Sequence, residues 1–241
     1  GNLRTYAPRA RKIHVEIDPS EVHKNVHVDV PLIGDLRAVL SDLIPMVDEY
    51  DHDEWLEQIQ AWRDESEERD ILAWPNDGKL YVSHVVRDLW KLTAGNATIT
   101  TDVGQHQMWT AQYYFMERPN RMITSGGAGT MGFGLPAAIG AWFATPEQEI
   151  WAVVGDGGFQ MTQCELATAQ IHKVRAKCLI INNNYLGMIR QWQELFYENR
   201  LSGADLEGNP DFVKLAEAYG VKAWRIKRSA DVDRVLQRAH D

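Results

Sequence analysis

The chain has 241 residues, of which 44% are hydrophobic and 24% charged, as is typical of a globular protein. The formal net charge is −9 and the basic residues form no stripe, so nucleic acids and membranes are not expected partners. The N-terminus lacks the apolar segment of a signal peptide, and the longest apolar run, residues 135–144, is too short to cross a bilayer. The two cysteines, Cys164 and Cys178, exclude a disulfide framework, and a cytoplasmic location is expected.

The first 44 residues show the pattern of the end of an α/β domain. Residues 12–17 and 26–32 are predicted strands, and residues 36–43 a predicted helix. These elements are too few for a domain, so we expect the rest of it to precede Gly1. Residues 45–79 differ in being acidic, and Trp55, Ile59 and Trp62 follow helical spacing, which predicts an exposed amphipathic helix and linker.

From residue 80 onwards, helical and strand patterns alternate strictly. This order predicts an α/β fold with a parallel sheet and helices on both faces, forming one domain over residues 80–241. Because the chain stops just after a helix, we expect a further strand to follow Asp241. The predicted helices are 82–92, 108–116, 133–143, 162–171, 187–197, 211–219 and 230–239, and the predicted strands are 97–101, 121–124, 150–154, 177–181 and 221–226.

Polar or glycine-rich segments follow four of these strands. They are residues 101–106, 125–127, 155–158 and 182–185. In open parallel sheets, ligands bind beyond the carboxyl ends of the strands, so these segments are predicted to form one crevice.

Asp156 and Asn183 are the sharpest candidates in this crevice. Each follows a predicted strand, and the two strands are neighbours joined by a helix. Carboxylate and amide oxygens suit Mg²⁺, which completes its coordination with phosphate and water. Gly157 and Gly158 allow a diphosphate to approach the backbone, and the following helix begins with free N–H groups. The pattern therefore predicts a site for a metal ion and a diphosphate.

The sequence Gly155-Asp156-Gly157, followed by Asn182-Asn183, resembles the motif of thiamine-diphosphate-dependent enzymes. Residues 103–109, 124–136 and 185–193 resemble the acetolactate synthase catalytic-subunit family in particular, in the same order. Residues 1–44 resemble the end of that family's central, Rossmann-like FAD-binding domain. The resemblance therefore implies the C-terminal part of such a subunit, with the thiamine-diphosphate-binding fold over residues 80–241.

The resemblance also implies roles for individual residues. The side chains of Asp156 and Asn183 and the carbonyl of Tyr185 would hold Mg²⁺. Met131 would lie beneath the cofactor and hold it in a bent conformation. The other implied cofactor contacts are Gln105, His106, Gly129, Gly157, Gly158, Leu186, Gly187 and Met188.

Two further sets of contacts follow from the same resemblance. Met188 and Trp192, one helical turn apart, would line the substrate channel. A structural FAD would contact the strand ends near the N-terminus, through Glu16, Ile17, Gly34 and Asp35.

The implied reaction is the decarboxylation of pyruvate and its condensation with a second 2-keto acid, pyruvate or 2-ketobutyrate, in branched-chain amino-acid biosynthesis. No catalytic residue of the chain itself is implied, because the family's activating glutamate comes from an N-terminal domain of a neighbouring subunit. We therefore expect the chain alone to be inactive. The family also implies a homodimer or tetramer and allows a regulatory small subunit.

Two alternatives remain open on the sequence. One is another thiamine-diphosphate enzyme, such as an FAD-free catabolic acetolactate synthase, glyoxylate carboligase or pyruvate oxidase. The other is a non-catalytic α/β module that binds a diphosphate or nucleotide.

Overall fold

A computed structural model describes residues 2–74 and 77–241 of the chain. The chain divides into two compact units, Gly1–Ser66 and Glu67–Asp241, and the division lies within one long helix. Within the described residues, no helix is long and apolar enough to cross a membrane.

The first unit is built on a two-stranded parallel sheet, β1 (Ile13–Glu16) and β2 (Val30–Ile33). Helix α1 (Leu36–Leu43) follows β2, and its first turn is capped by Asp35, whose side chain accepts hydrogen bonds from two backbone N–H groups. Helix α2 (Asp53–Arg69) spans the acidic segment and contains no buried residue, as predicted for an exposed helix. The strand predicted over residues 26–32 begins later, at Val30.

The second unit contains a four-stranded, wholly parallel sheet in the order β4-β3-β5-β6. The strands are β3 (Thr98–Thr101), β4 (Met122–Thr124), β5 (Ile150–Gly155) and β6 (Lys177–Ile181). The predicted α/β class with a parallel sheet is confirmed. The helices are α3 (Val82–Thr93), α4 (Gln105–Tyr113), α5 (Gly134–Ala144), α6 (Asp156–Thr162), α7 (Leu166–Ile171), α8 (Gly187–Phe196), α9 (Phe212–Ala218) and α10 (Val232–His240).

Strand β5 shows why helices cover both faces of this sheet. Successive side chains of a strand point to opposite faces. Trp151 and Val153 pack with α3, α4 and α10 in one buried cluster, whereas Ile150, Ala152 and Val154 pack with α5 and α6 in the other. All five of these side chains are almost inaccessible to solvent, so the carboxyl end of β5 is held rigidly in the centre of the sheet.

Two predicted elements of the second unit are wrong. The helix predicted from residue 162 begins at Asp156, directly after β5, and a 3-10 turn at Gln163–Glu165 separates it from α7. Glycine disfavours a helix interior, but Gly157 and Gly158 lie in tight contact with neighbouring segments, and these tertiary contacts outweigh the local preference.

The strand predicted over residues 221–226 does not form among the described residues. Residues 221–226 and β6 line the same cavity of about 1310 Å³. Ile226 instead packs against the buried cluster that contains Trp151, which explains the apolar pattern of the segment.

Candidate functional site

The carboxyl ends of β3, β5 and β6 meet at one edge of the sheet, where a cavity of about 100 Å³ opens. This volume holds several water molecules, so a polar group of similar size fits. The cavity is lined by residues 103–106, 109, 131, 155–158, 181, 183 and 185–189.

Most of the residues predicted to contact the cofactor line this one cavity. They are Gln105, His106, Met131, Asp156, Gly157, Gly158, Asn183, Tyr185, Leu186, Gly187 and Met188. Gly129 and Trp192 are not among the lining residues, and Trp192 lies on α8 with 57% of its surface exposed. Met188 lines the cavity, and Trp192 follows it by one turn of α8. The two side chains therefore lie on the same face of this helix, with Trp192 outside the cavity.

Asp156 is buried at the end of β5, and both of its carboxylate oxygens accept hydrogen bonds. Oδ1 accepts from the Gly157 N–H group at 2.9 Å. Oδ2 accepts from the Asn184 N–H group at 2.7 Å and from the side-chain amide of Asn209 at 2.8 Å. Burial raises the pKa of the Asp156 carboxyl, although these hydrogen bonds act in the opposite direction. The site is therefore built to hold a carboxylate in a fixed orientation.

Asn183 and Tyr185 follow β6 on the neighbouring strand end. The side-chain oxygen of Asn183 accepts a hydrogen bond from the Tyr185 N–H group at 3.1 Å, and this bond shapes the turn into α8. The ring of Tyr185 lies under the Arg190 guanidinium, whose carbon is 4.1 Å from the ring centroid. Among the described residues, no group of three or more His, Cys, Asp or Glu side chains could hold a metal ion. A cation here would therefore rely on one carboxylate together with amide and carbonyl oxygens.

Glycines keep the cavity open and bring its walls together. A Cβ atom on Gly157 would lie 2.6 Å from a methyl group of Leu186, and one on Gly187 would lie 2.2 Å from the side-chain oxygen of Gln105. Gln105 also donates to the side-chain oxygen of Gln191 at 3.0 Å, which joins the start of α4 to α8. Side chains at positions 157 and 187 would fill the space beside Asp156 and Asn183.

His106 is the buried titratable group of the cavity wall. Its ring lies close to Gly104 and Gly155, where a Cβ atom would approach within 3.0 Å. Burial lowers the pKa of His106 to about 4, so the imidazole is neutral at pH 7. Its Nε2 atom is buried and has no hydrogen-bond partner among the described residues. Buried polar atoms are normally hydrogen-bonded, so this atom is an exception in the cavity wall.

Asp102, at the end of β3, was missed by the sequence reasoning. Oδ1 of this buried side chain accepts hydrogen bonds from the N–H groups of Val103 and Gly132, each at 2.8 Å. Oδ2 has no partner among the described residues and lies 1.9 Å from the position of a Cβ atom on Gly158. Burial raises the pKa of the Asp102 carboxyl. Its position directly after a strand could have indicated a site residue. Only the folded structure shows that Asp102 holds the loop carrying Met131, through its hydrogen bond from the Gly132 N–H group.

The residues predicted to contact FAD lie together in the first unit. β1 ends at Glu16 and β2 at Ile33, and the Gly34 N–H group donates to the Glu16 carbonyl at 3.0 Å. The Glu16 carboxylate accepts from the N–H groups of Ile17 and Asp18, at 2.9 and 3.2 Å. The structure thus brings Glu16, Ile17, Gly34 and Asp35 to adjacent strand ends.

Comparisons with known proteins agree with this geometry. Residues 102–241 match the family model described as thiamine pyrophosphate enzyme, C-terminal TPP binding domain, and residues 1–43 match the model of the central domain of these enzymes. Acetolactate synthase from Mycobacterium bovis is 43% identical over 247 aligned residues, which cover 99% of the chain and 40% of that protein. The large subunit of acetolactate synthase isozyme 3 from Escherichia coli K12 is 40% identical, over 99% of the chain and 42% of that protein.

A probable acetolactate synthase large subunit from Methanococcus aeolicus is 38% identical, again over 99% of the chain and 42% of the relative. The chain thus spans about 40% of the length of the curated relatives that it matches. The C-terminal family model covers more than half of the chain and includes every residue that lines the cavity. The chain therefore belongs to the thiamine pyrophosphate enzyme family, and the cavity at the sheet edge lies in its cofactor-binding domain.

Proposed function

We propose that this chain is the cofactor-binding part of an acetolactate synthase, which decarboxylates pyruvate and joins the remaining two-carbon unit to a second 2-keto acid. One observation carries the proposal: residues of four separate sequence motifs line a single cavity at the sheet edge. The identity of 38–44% to acetolactate synthases over nearly the whole chain supports this activity over that of other members of the family.

The cavity fits a diphosphate only together with a cation. No lysine or arginine is among the described residues that line it, and His106 is neutral at pH 7. The negative charge of a diphosphate would therefore be poorly compensated by the protein alone. In this proposal Mg²⁺ would supply the compensating positive charge. It would be held by the side-chain oxygens of Asp156 and Asn183 and by the carbonyl of Tyr185.

The neutral residues of the wall then act as hydrogen-bond partners. Gln105 and His106 line the cavity, and Gly157 and Gly158 leave the backbone open to the diphosphate. Thiamine diphosphate, when bound, supplies the carbanion chemistry that breaks and forms bonds at the keto carbon. Met131, on the loop held by Asp102 through Gly132, supports the cofactor from below, with Gly129 nearby in the chain.

The substrate end of the site lies along α8. Met188 lines the cavity, and Trp192 lies one turn further out, where it packs edge-on against Phe196 with a centroid separation of 5.4 Å. In this proposal the two side chains select the second 2-keto acid by apolar contact. The Trp192 ring is largely exposed in this chain and is free to contact a substrate.

The complete reaction needs more than this chain in our proposal. A glutamate that activates the cofactor comes from another domain of a homodimer or tetramer, and a regulatory small subunit is a further expected partner. A structural FAD would bind at Glu16, Ile17, Gly34 and Asp35 in the first unit. The expected cytoplasmic location stays a prediction.

The magnesium site is tested by the binding of thiamine diphosphate to the 241-residue chain in a calorimeter, with Mg²⁺ or with EDTA. We expect binding only with Mg²⁺, and we expect Asp156→Asn to weaken it about 100-fold because a charged ligand is lost. Asp205→Asn is the matched control, since this exposed carboxylate is not among the lining residues. Equal binding by Asp156→Asn and the unchanged chain would contradict the site.

The reaction is tested in a protein of the relatives' full length that contains this chain. With pyruvate we expect acetolactate, and with added 2-ketobutyrate we expect 2-aceto-2-hydroxybutyrate in addition. Acetyl phosphate, acetate or tartronate semialdehyde as the main product would instead favour another enzyme of the family.

A further inference from the structure

We propose that Asn209 is a positioning residue for Asp156, whose carboxylate it fixes so that Oδ1 is left for the cation. The inference rests on the magnesium site of the proposed function. Asn209 lies in the segment between α8 and α9 and is partly buried. No sequence motif pointed to it, because it lies 53 residues from Asp156.

The hydrogen bonds of Asp156 show which oxygen remains available. A carboxylate oxygen has about two lone pairs that can accept. Oδ2 accepts from Asn209 at 2.8 Å and from the Asn184 N–H group at 2.7 Å, which uses both. Oδ1 accepts from the Gly157 N–H group at 2.9 Å and keeps a second acceptor position. A cation at Asp156 therefore binds through Oδ1 for as long as Asn209 holds Oδ2.

A second contact fixes which way the Asn209 amide points. Its oxygen accepts a hydrogen bond from the side-chain amide of Gln160 at 2.6 Å, and Gln160 belongs to α6, the helix that begins at Asp156. Its nitrogen faces Asp156 and the side-chain oxygens of Asn182 and Asn184, both at 3.1 Å. In the flipped orientation the amide oxygen would face three oxygens, so the donor is directed at Asp156 by the network itself.

The segment before Asn209 is held against the same strand end. The Leu186 N–H group donates to the Ala204 carbonyl at 2.8 Å, and the Leu206 N–H group donates to the Asn184 carbonyl at 2.9 Å. A methyl group of Leu206 lies 3.1 Å from the position of a Cβ atom on Gly157. Asn209 therefore links the Asp156 carboxylate to the loop of residues 204–209, which packs against Gly157. The affinity for the cation is thereby coupled to the order of this loop.

The test compares the affinity for Mg²⁺, titrated at a fixed excess of thiamine diphosphate, in variants of the 241-residue chain. We expect Asn209→Leu to weaken Mg²⁺ binding about tenfold, since it removes a hydrogen bond to a charged group. Gln160→Leu leaves Asn209 in place but frees its amide to flip, so it should weaken binding by a smaller factor. Because both act through one contact, the double variant should bind no more weakly than Asn209→Leu alone.

Glu207→Gln is the matched control, as this exposed side chain of the same loop is outside the hydrogen bonds around Asp156. Melting temperatures measured without metal or cofactor show that each variant is folded. Mg²⁺ binding by Asn209→Leu as tight as that of the unchanged chain, or equal losses in Asn209→Leu and Glu207→Gln, would overturn the inference. Normal binding by Asp156→Asn would instead overturn the magnesium site itself, so the two failures are distinguishable.

Discussion

Asp102 directly follows β3 and His106 lies in the first turn of α4, and burial shifts the pKa values of these two side chains in opposite directions. It lowers the pKa of the His106 imidazole to about 4 and raises that of the Asp102 carboxyl. In both residues burial disfavours the charged form of the side chain. Each also keeps one polar atom without a hydrogen-bond partner among the described residues.

The His106 shift predicts a specific loss of stability in mild acid. The unfolded chain takes up a proton on His106 near the ordinary pKa of 6.5, whereas the folded protein does so only near 4. Protonation therefore favours the unfolded state as pH falls through this window, by roughly 2 kcal/mol at pH 5. When the pH is lowered from 7.5 to 5, we expect the free energy of unfolding of His106→Gln to fall by about 2 kcal/mol less than that of the unchanged chain. Urea denaturation at the two pH values measures this difference.

Asp102 and Asp156 are present in both proteins, so the comparison isolates His106. The raised pKa values of these two carboxyls change the pH dependence of stability in the opposite direction. Parallel pH profiles for the two proteins would show that His106 is not buried in this way.

Gly158 gives a second prediction at the scale of single residues. An alanine Cβ at this position would lie 1.9 Å from Oδ2 of Asp102, and both residues are buried. Neither the strand end nor α6 can move without disturbing the sheet, so we expect Gly158→Ala to cost about 3 kcal/mol of folding free energy. Gly140→Ala is the control: it lies in α5, a Cβ there meets no atom within 4 Å, and we expect a slight stabilisation. Equal melting temperatures for the two variants would contradict the close contact.

Among the elements, α10 is tied to the sheet by one polar cluster. The Glu149 carboxylate accepts hydrogen bonds from Trp151 Nε1 at 2.8 Å, from Lys177 Nζ at 3.1 Å and from His240 Nδ1 at 2.8 Å. Burial alone would raise the pKa of this carboxyl, but the three hydrogen bonds outweigh it and hold the pKa below its usual value. The cluster therefore joins the starts of β5 and β6 to the end of α10.

We expect Glu149→Gln to lower the free energy of unfolding by about 2 kcal/mol at pH 7, since hydrogen bonds to a charged acceptor are lost. A depressed carboxyl pKa stabilises the fold above the unfolded value of 4.5 and stops doing so as pH falls below it. The difference between variant and unchanged protein should therefore shrink below about pH 4. Glu147→Gln, two residues earlier and exposed, is the control and should change little. A pH-independent difference would show that the charge of Glu149 is not what holds α10.

The elements also show what sequence reasoning can predict here. The residue pattern predicted every strand of the parallel sheet, because β5 and β6 are short and mainly apolar and β3 consists of β-branched residues. Since parallel strands end at one edge, the convergence of Asp156 and Asn183 followed from topology alone. The early start of α6 depends on contacts of Gly157 and Gly158 with distant segments, which no local pattern contains. The roles of Asp102 and Asn209 were missed for the same reason.

For the molecule as a whole, the two units differ sharply in how much apolar surface they bury. The second unit contains both buried clusters, whereas Val28 is the one buried hydrophobic residue among the described residues up to Ser66. In α2, Trp55 and Trp62 are 56% and 50% exposed, although their rings meet edge-on. Apolar burial is the main favourable term in folding, so the first unit has much less of it to offset the ordering of its chain.

We therefore expect the 241-residue chain to unfold in two steps, with the first unit melting at lower temperature. Differential scanning calorimetry should show two transitions, and brief trypsin digestion should cut first at basic residues before Ser66, leaving a resistant fragment that begins near Glu67. Thiamine diphosphate with Mg²⁺ should raise only the second transition, since the cavity lies wholly within the second unit. FAD should raise only the first if its proposed contacts are correct. A single transition that both ligands raise equally would contradict this division, because ligands of separate units can act together only when the units unfold as one.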